Sequence, residues 1–322
     1  MAETVSARLV AGVLEADPEA IANCLASVED TRAATLPQQR ELIRCLEEAT
    51  PSDHRVVGLT GPPGAGKSTL AAALIRHWLA AGSSVGMVAV DPSSRRSGGA
   101  LLGDRARLRF GTQDRVFVRS MAARTRLGGL APATRGAVTV LRAAYPWTLV
   151  ETVGVGQSEV DVATVADTVI LVLQPGSGDT LQFMKAGILE IPDLLVVHKW
   201  DLGSVAERTR SDLESMLALT ETPAGGWRAP VLPASALEGT GVSELADAIA
   251  THAEHLESSS ELETRRQAAR VSWTLELFCE RYGALGLERV GGREAAEASV
   301  RKLPGSALDA FSSLASQAAL EP

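Results

Sequence analysis

Short runs of consecutive apolar residues alternate with stretches of helical spacing through the middle of the chain. The runs at 169–173 and 194–197 are apolar at every position, a pattern typical of parallel strands that helices cover on both faces. We predict strands at 55–60, 85–90, 115–119, 147–152, 168–174, 193–199 and 230–234. This alternation predicts an α/β protein with a mostly parallel sheet of about seven strands.

The two ends of the chain have helical spacing and no strand-like runs. Pro51 and the polar residues after it interrupt the helical pattern just before the first strand. After the three serines at 258–260 the chain becomes charged and helical. The sequence therefore predicts an N-terminal helical extension at 1–54, a central domain at 55–257 and a C-terminal helical segment at 258–322.

Four large apolar side chains of the C-terminal segment fall on one helical stripe, namely Trp273, Leu277, Phe278 and Tyr282. A short helical extension cannot bury such a stripe by itself. The stripe could pack on the central domain of the same chain, or on the identical stripe of a second copy in a two-fold pair. We favour the second arrangement, which predicts a homodimer.

The first predicted strand ends at a glycine-rich turn that matches G-x-x-x-x-G-K-[ST]. In such a loop the backbone N–H groups surround phosphates, and the helix that follows directs its positive end at them. An ordinary glycine-rich turn with a chance lysine is the alternative, but the flanking strand and helix favour the phosphate loop. We predict a nucleoside triphosphate site at Gly61, Pro62, Pro63, Gly64, Ala65, Gly66, Lys67, Ser68 and Thr69.

Acidic residues follow other predicted strands at the same edge of the sheet. Glu151 ends one strand and is followed by Gly154, whose N–H could meet the γ-phosphate; Asp91 ends another, and Asp104 lies in a glycine-rich loop. Together with the Ser68 hydroxyl, these carboxylates are candidate ligands of Mg²⁺. Two of these carboxylates have an alternative role without a metal: Glu151 could cap the loop that follows its strand, and Asp104 could be a solvated carboxylate in its loop. We predict that Lys67, Asp91, Asp104 and Glu151 carry the catalysis.

Six motifs occur in a fixed order, and the matches extend from about residue 55 to residue 241: G-P-P-G-A-G-K-S-T, V-D-P-S-S, G-G-A-L-L-G-D-R, L-G-G-L, E-T-V-G-V-G-Q-S-E and P-G-S-G-D-x-L-Q-x-x-K-x-G-I-x-E. Their combination resembles the MeaB/ArgK family of GTPases. The resemblance implies a GTP-binding and GTP-hydrolysing chaperone that loads and protects an adenosylcobalamin-dependent acyl-CoA mutase, most often methylmalonyl-CoA mutase. It also implies that residues 174–190 form an extra switch loop, which reports the nucleotide state to the mutase.

The same resemblance assigns a base-reading motif, N-K-x-D in the family and His198-Lys199-Trp200-Asp201 here. The Asp201 carboxylate can accept from N1–H and the 2-amino group of guanine, and Lys199 can lie along the base. Ser235, Ala236 and Leu237 fit the companion loop that meets guanine O6. An imidazole at 198 is expected to donate one hydrogen bond but not to supply the donor and acceptor of an amide together. Base contact and a purely structural role remain equally open for His198.

Composition limits the partners of this chain. A net charge of −8 and a pI near 5.3 argue against nucleic acid as a partner. The absence of a basic, apolar leader and of a run of about 18 apolar residues predicts a cytoplasmic protein without a membrane partner. His252 and His255 have a spacing that could hold a metal, but a solvated helix face is favoured because no third ligand accompanies them.

Two other functions compete with the chaperone. A small-molecule or protein kinase would need a second substrate pocket, for which the sequence has no motif. A nickel-type metallochaperone would need a cluster of cysteine and histidine ligands. Because no residue has the character of a strong general base, we expect slow GTP turnover that a partner accelerates.

Overall fold

The computed structural model describes residues 5–30, 32–92, 115–123, 130–152, 161–176, 191–218 and 226–320. Within these ranges seven strands form one sheet. They are β1 (Arg55–Thr60), β2 (Val85–Pro92), β3 (Val116–Ala123), β4 (Trp147–Glu151), β5 (Thr168–Leu173), β6 (Leu194–Val197) and β7 (Val231–Pro233). The sheet is wholly parallel, in the order β3-β2-β4-β1-β5-β6-β7. The predicted fold class is confirmed.

The observed strands differ from the predicted ones mainly at β3, which continues to Ala123 beyond the predicted 115–119. Its backbone pairs with β2 from Val85 opposite Val116 to Pro92 opposite Ala123. Backbone hydrogen bonds sustain such a ladder whatever the side chains are, so the apolar run alone underestimated its length.

Ten α-helices are described. They are α1 (Val5–Leu14), α2 (Pro18–Val28), α3 (Leu36–Ala49), α4 (Lys67–Ala80), α5 (Pro132–Ala144), α6 (Ser204–Leu217), α7 (Val242–Ser258), α8 (Glu261–Arg289), α9 (Arg293–Lys302) and α10 (Ala307–Gln317). None of the helices in these ranges is both long and apolar enough to cross a membrane.

The chain divides into two compact units. The sheet unit comprises 55–130 and 146–262; the helical unit comprises 1–54, 131–145 and 263–322. In the sheet unit, β1, β5 and β6 are buried at every position, which explains their uninterrupted apolar runs. The two terminal segments, which the sequence analysis treated as separate, belong to one helical unit together with α5.

The aromatic stripe of α8 is covered inside the helical unit. Phe278 is fully buried and packs near Phe311 of α10, with the Tyr282 ring centroid 6.0 Å from that of Phe311. Trp273 packs with Ile43 of α3 and Leu308 of α10. Helices of the same chain therefore cover Trp273 and Phe278, whereas Leu277 and Tyr282 are half-buried. The stripe therefore does not by itself require a second copy of the chain, and the homodimer stays a prediction.

His252 belongs to a buried polar network in the sheet unit. Its Nδ1 lies 2.8 Å from the Thr168 hydroxyl, its Nε2 lies 3.2 Å from Asp193 Oδ1, and its ring packs edge-on against Trp227. The second Asp193 oxygen accepts from the Val169 N–H at the start of β5. The prediction of a solvated helix face was wrong for His252: a fully buried imidazole needs polar partners, and long-range contacts supply them.

We expect the His252→Ala substitution to lower the free energy of unfolding by about 2–4 kcal/mol, because it opens a cavity and removes a buried hydrogen-bond partner. Urea denaturation of the full chain measures this loss. His255→Ala is the matched control, since that ring also touches Trp227 but is only half-buried. Equal losses in the two variants would contradict a structural role of the network.

Candidate functional site

The candidate site lies where the carboxyl ends of neighbouring parallel strands meet, the usual ligand position in an open α/β sheet. Leu59 near the end of β1 pairs with Glu151 on one side and with Ile170 on the other. Val197 at the end of β6 pairs with Leu173 and Pro233. This register brings the loops after β1, β4, β5, β6 and β7 to one edge.

The loop after β1 has the backbone of a phosphate cradle. Gly61, Gly64 and Gly66 have φ angles of 136°, 80° and 93°, which favour glycine because a Cβ is strained there. A Cβ at Gly61 would also collide with the Val172 carbonyl oxygen of β5. The loop can therefore take this course only with glycine at these positions.

Lys67 opens helix α4 and holds its ammonium group within the loop. Its Nζ donates to the carbonyl oxygens of Gly61, at 2.7 Å, and Pro62, at 3.1 Å. Lys67 and Ala65 are buried, whereas Pro63, Gly64 and Thr69 are exposed. A buried cation at a helix N-terminus that lacks a capping side chain gives the loop the charge that suits phosphate oxygens.

A short hydrogen bond joins the foot of this loop to β4. The Ser68 hydroxyl donates to Glu151 Oε1 over 2.6 Å, and Glu151 is only 5% exposed. Next to it, the Thr152 hydroxyl donates to the Thr60 hydroxyl over 3.1 Å. A hydroxyl and a carboxylate in contact are the hard oxygen donors that Mg²⁺ prefers, so Ser68 and Glu151 fit such an ion. Thr152, which ties the ends of β1 and β4 together, was not singled out from the sequence.

The other predicted metal and phosphate ligands are only partly visible. Asp91 lies in β2, and only its backbone is described. Asp104 and Gly154 lie outside the described residues, so their roles stay predictions.

The loop after β6 carries the predicted base-reading residues. Asp201 accepts a 2.6 Å hydrogen bond from the Ser235 hydroxyl, and this bond lowers the pKa of the Asp201 carboxyl. The group is therefore ionised at neutral pH and can accept from two N–H groups. Ser235 is fully buried, whereas Leu237 is 85% exposed. The bond between Ser235 and Asp201 joins the loops that follow β6 and β7.

Lys199 joins the base-reading loop to two other strand ends. Its Nζ donates to the Gly64 carbonyl oxygen and to Gln174 Oε1, both over 2.8 Å. Gln174 directly follows β5 and opens the predicted switch segment, of which 174–176 are described. This contact of Gln174 was not predicted from the sequence. The available signal was its position immediately after an apolar strand that neighbours β1.

His198 differs from its expected chemistry. Its Nδ1 lies 2.8 Å from the Ala65 carbonyl oxygen, and its Nε2 accepts from the Ala236 N–H over 3.3 Å. The expectation that an imidazole could not supply a donor and an acceptor together was wrong, because a neutral imidazole has one of each. Burial lowers the pKa of this ring and keeps it neutral.

A lysine-bearing phosphate loop, a serine–glutamate pair at its foot and a carboxylate for the guanine edge on a neighbouring loop are the parts of a P-loop GTPase. That class of protein hydrolyses GTP at the γ-phosphate.

Comparison with known proteins narrows this class. The family model described as "Methylmalonyl Co-A mutase-associated GTPase MeaB" matches residues 21–285. A putative GTPase of Pyrococcus abyssi is 44% identical over 263 residues, 80% of this chain and 79% of that protein. The mouse mitochondrial protein named methylmalonic aciduria type A homolog is 34% identical over 290 residues, 85% of this chain and 69% of its own. The chain belongs to the MeaB family of GTPases.

A solved structure supports the same fold. The crystal structure of an LAO/AO transport system kinase superposes with a TM-score of 0.70 at 27% identity. The alignment covers 94% of this chain and 91% of the other.

We expect Ser68→Ala to reduce GTP hydrolysis at least about ten-fold and to raise the Mg²⁺ concentration needed for half-maximal rate, because the variant loses a hydroxyl that is predicted to bind the metal. Ser68→Thr keeps a hydroxyl at the same place and is the control. Steady-state phosphate release across a Mg²⁺ titration measures both effects. An alanine variant with the unaltered Mg²⁺ profile would exclude Ser68 as a ligand.

Proposed function

We propose that this GTPase assists an adenosylcobalamin-dependent acyl-CoA mutase, specifically methylmalonyl-CoA mutase, in receiving and keeping its cofactor. The 2.6 Å contact between Ser68 and Glu151 beside the Lys67 loop carries the catalytic part of the proposal. The matching family, whose description names methylmalonyl-CoA mutase, supports the choice of partner.

The proposed reaction is in-line attack of water on the γ-phosphate of GTP. Mg²⁺, held by Ser68 and Glu151 with Asp91 or Asp104, would neutralise charge on the phosphate oxygens. Lys67 and the N–H groups of the loop stabilise the negative charge that develops as the bond to the β-phosphate breaks. Asp201 would select guanine, and the stem of Lys199 would lie along the base while its ammonium holds the Gly64 carbonyl oxygen of the loop.

Slow turnover without a partner follows from the same contacts. His198 lies beside the phosphate loop, but backbone groups engage both of its nitrogens, so it is not available as a general base. Among the described residues we therefore assign no general base, and proton removal from the attacking water would depend on solvent or on the γ-phosphate itself. A partner that orders the water would accelerate the reaction.

Lys199 provides a route from the nucleotide to the proposed switch segment, 174–190. Its ammonium bridges Gly64 in the phosphate loop and Gln174. Gly176, two residues farther on, donates its N–H over 3.4 Å to the Thr209 hydroxyl of α6. A change in the phosphate loop would thus reach the first residues of this segment directly.

We further propose that the protein is a cytoplasmic homodimer.

The test is GTP hydrolysis by the full chain with and without methylmalonyl-CoA mutase from the same organism. We expect the mutase to accelerate hydrolysis. Lys185→Ala should leave the basal rate and the GTP affinity within about three-fold of the wild-type values. The same variant should reduce the acceleration by the mutase about ten-fold, an ordinary size for coupling between two sites. Lys302→Ala, in the helical unit, is the control. When the γ-phosphate of GTP is labelled, the label should appear as free phosphate. Transfer of the label to an acceptor would favour a kinase.

Absence of any acceleration would contradict the choice of partner. If Lys185→Ala lowers the basal and the stimulated rate in parallel, the segment belongs to the catalytic site, and its proposed sensing role is wrong.

A further inference from the structure

The imidazole of His198 lies between two loops that are far apart in sequence. On one side is the phosphate loop, where the ring meets the Ala65 carbonyl oxygen; on the other is the loop after β7, where it meets the Ala236 N–H. The ring is 4% exposed. A Cβ at Gly66 would collide with its Nδ1 and Cε1 atoms. The ring therefore fills a slot that exists only because residue 66 is glycine.

The partners of the ring fix its protonation. A backbone N–H can only donate, so Nε2 must carry a lone pair toward Ala236. Nδ1 must then carry the proton that it donates to the Ala65 carbonyl oxygen. Only the neutral Nδ1–H tautomer satisfies both contacts. With both nitrogens committed to backbone groups, the ring has no polar atom left for guanine.

We propose that His198 is a positioning residue that joins the phosphate loop to the Ser235–Ala236 loop in its uncharged form, so that guanine-nucleotide affinity depends on a neutral imidazole at this position. The proposal rests on the nucleotide site described above. It assigns to residue 198 a role in holding the two halves of the site together, without contact to the base.

Protonation would break this link. A proton on Nε2 would face the Ala236 N–H, so a hydrogen bond would become a contact between two donors in a buried place. Burial has the largest influence and holds the pKa of His198 below its usual value; the bond to the Ala65 carbonyl oxygen and the charge of Asp201 favour the charged form, and Lys199 opposes it. The link is therefore intact at neutral pH and is lost only as the pH falls through the lowered pKa.

The experiment is GDP affinity, measured with a fluorescent GDP analogue, across about pH 4 to 8, which extends below the range in which an unperturbed histidine titrates. In the wild type we expect affinity to be constant at neutral pH and then to fall by up to about ten-fold per pH unit below the pKa of His198. The amide of His198→Asn does not titrate. In this variant GDP affinity should therefore change with pH only through the phosphate of the nucleotide itself, which gives a shallower slope. Circular dichroism at each pH confirms that both proteins are folded.

Parallel pH profiles in the wild type and His198→Asn would overturn the proposal. Long-range ¹H–¹⁵N correlation spectra provide a second, independent test, since the chain has five histidines and His198→Asn identifies the signal of His198. We expect the neutral Nδ1–H tautomer at neutral pH, and the Nε2–H tautomer would contradict the geometry. If neither protein binds GDP at any pH, the nucleotide site itself is wrong and this role fails with it.

Discussion

The pairing of β1 with β4 is the contact on which the rest of the site depends. It places Glu151 of β4 opposite Leu59 of β1, two residues before the phosphate loop begins. The Glu151 carboxylate therefore meets the hydroxyl of Ser68, which lies in the first turn of α4 just after that loop. Both strands are buried among parallel neighbours, and a shift of one residue would turn Glu151 to the opposite face of the sheet. The apolar core thus fixes the spacing of the catalytic oxygens.

Side chains, most of them bonded to backbone groups, tie together the loops around this pair. Lys199 and His198 donate to adjacent carbonyl oxygens of the phosphate loop, those of Gly64 and Ala65. The Ser235 loop is bonded in turn to Asp201 and His198. The residues predicted to bind phosphate and those predicted to read the base therefore belong to one connected hydrogen-bond network.

Much of the fold and the phosphate loop could be predicted from sequence because their signals are local. Strands buried on both faces have uninterrupted apolar runs in the sequence. The G-x-x-x-x-G-K-[ST] motif contains, at fixed spacing, the residues that form the phosphate loop. What the sequence did not reveal depends on contacts between distant segments. The burial of His252 against Thr168 and Asp193, the cover of the α8 stripe by α3 and α10, and the two-sided bonding of His198 all join residues more than 30 positions apart.

The most direct test of the guanine site is hydrolysis of GTP, ATP and xanthosine triphosphate by the wild type and by Asp201→Asn at equal concentrations. Xanthine carries a carbonyl in place of the 2-amino group of guanine, so an asparagine amide can donate to it where a carboxylate cannot. The wild type should hydrolyse GTP at least about a hundred-fold more efficiently than ATP, a ratio that matches the loss of two hydrogen bonds. Asp201→Asn should lose most of its activity on GTP and gain activity on the xanthine nucleotide. Equal use of GTP and ATP by the wild type, or an unchanged preference in Asp201→Asn, would contradict the account.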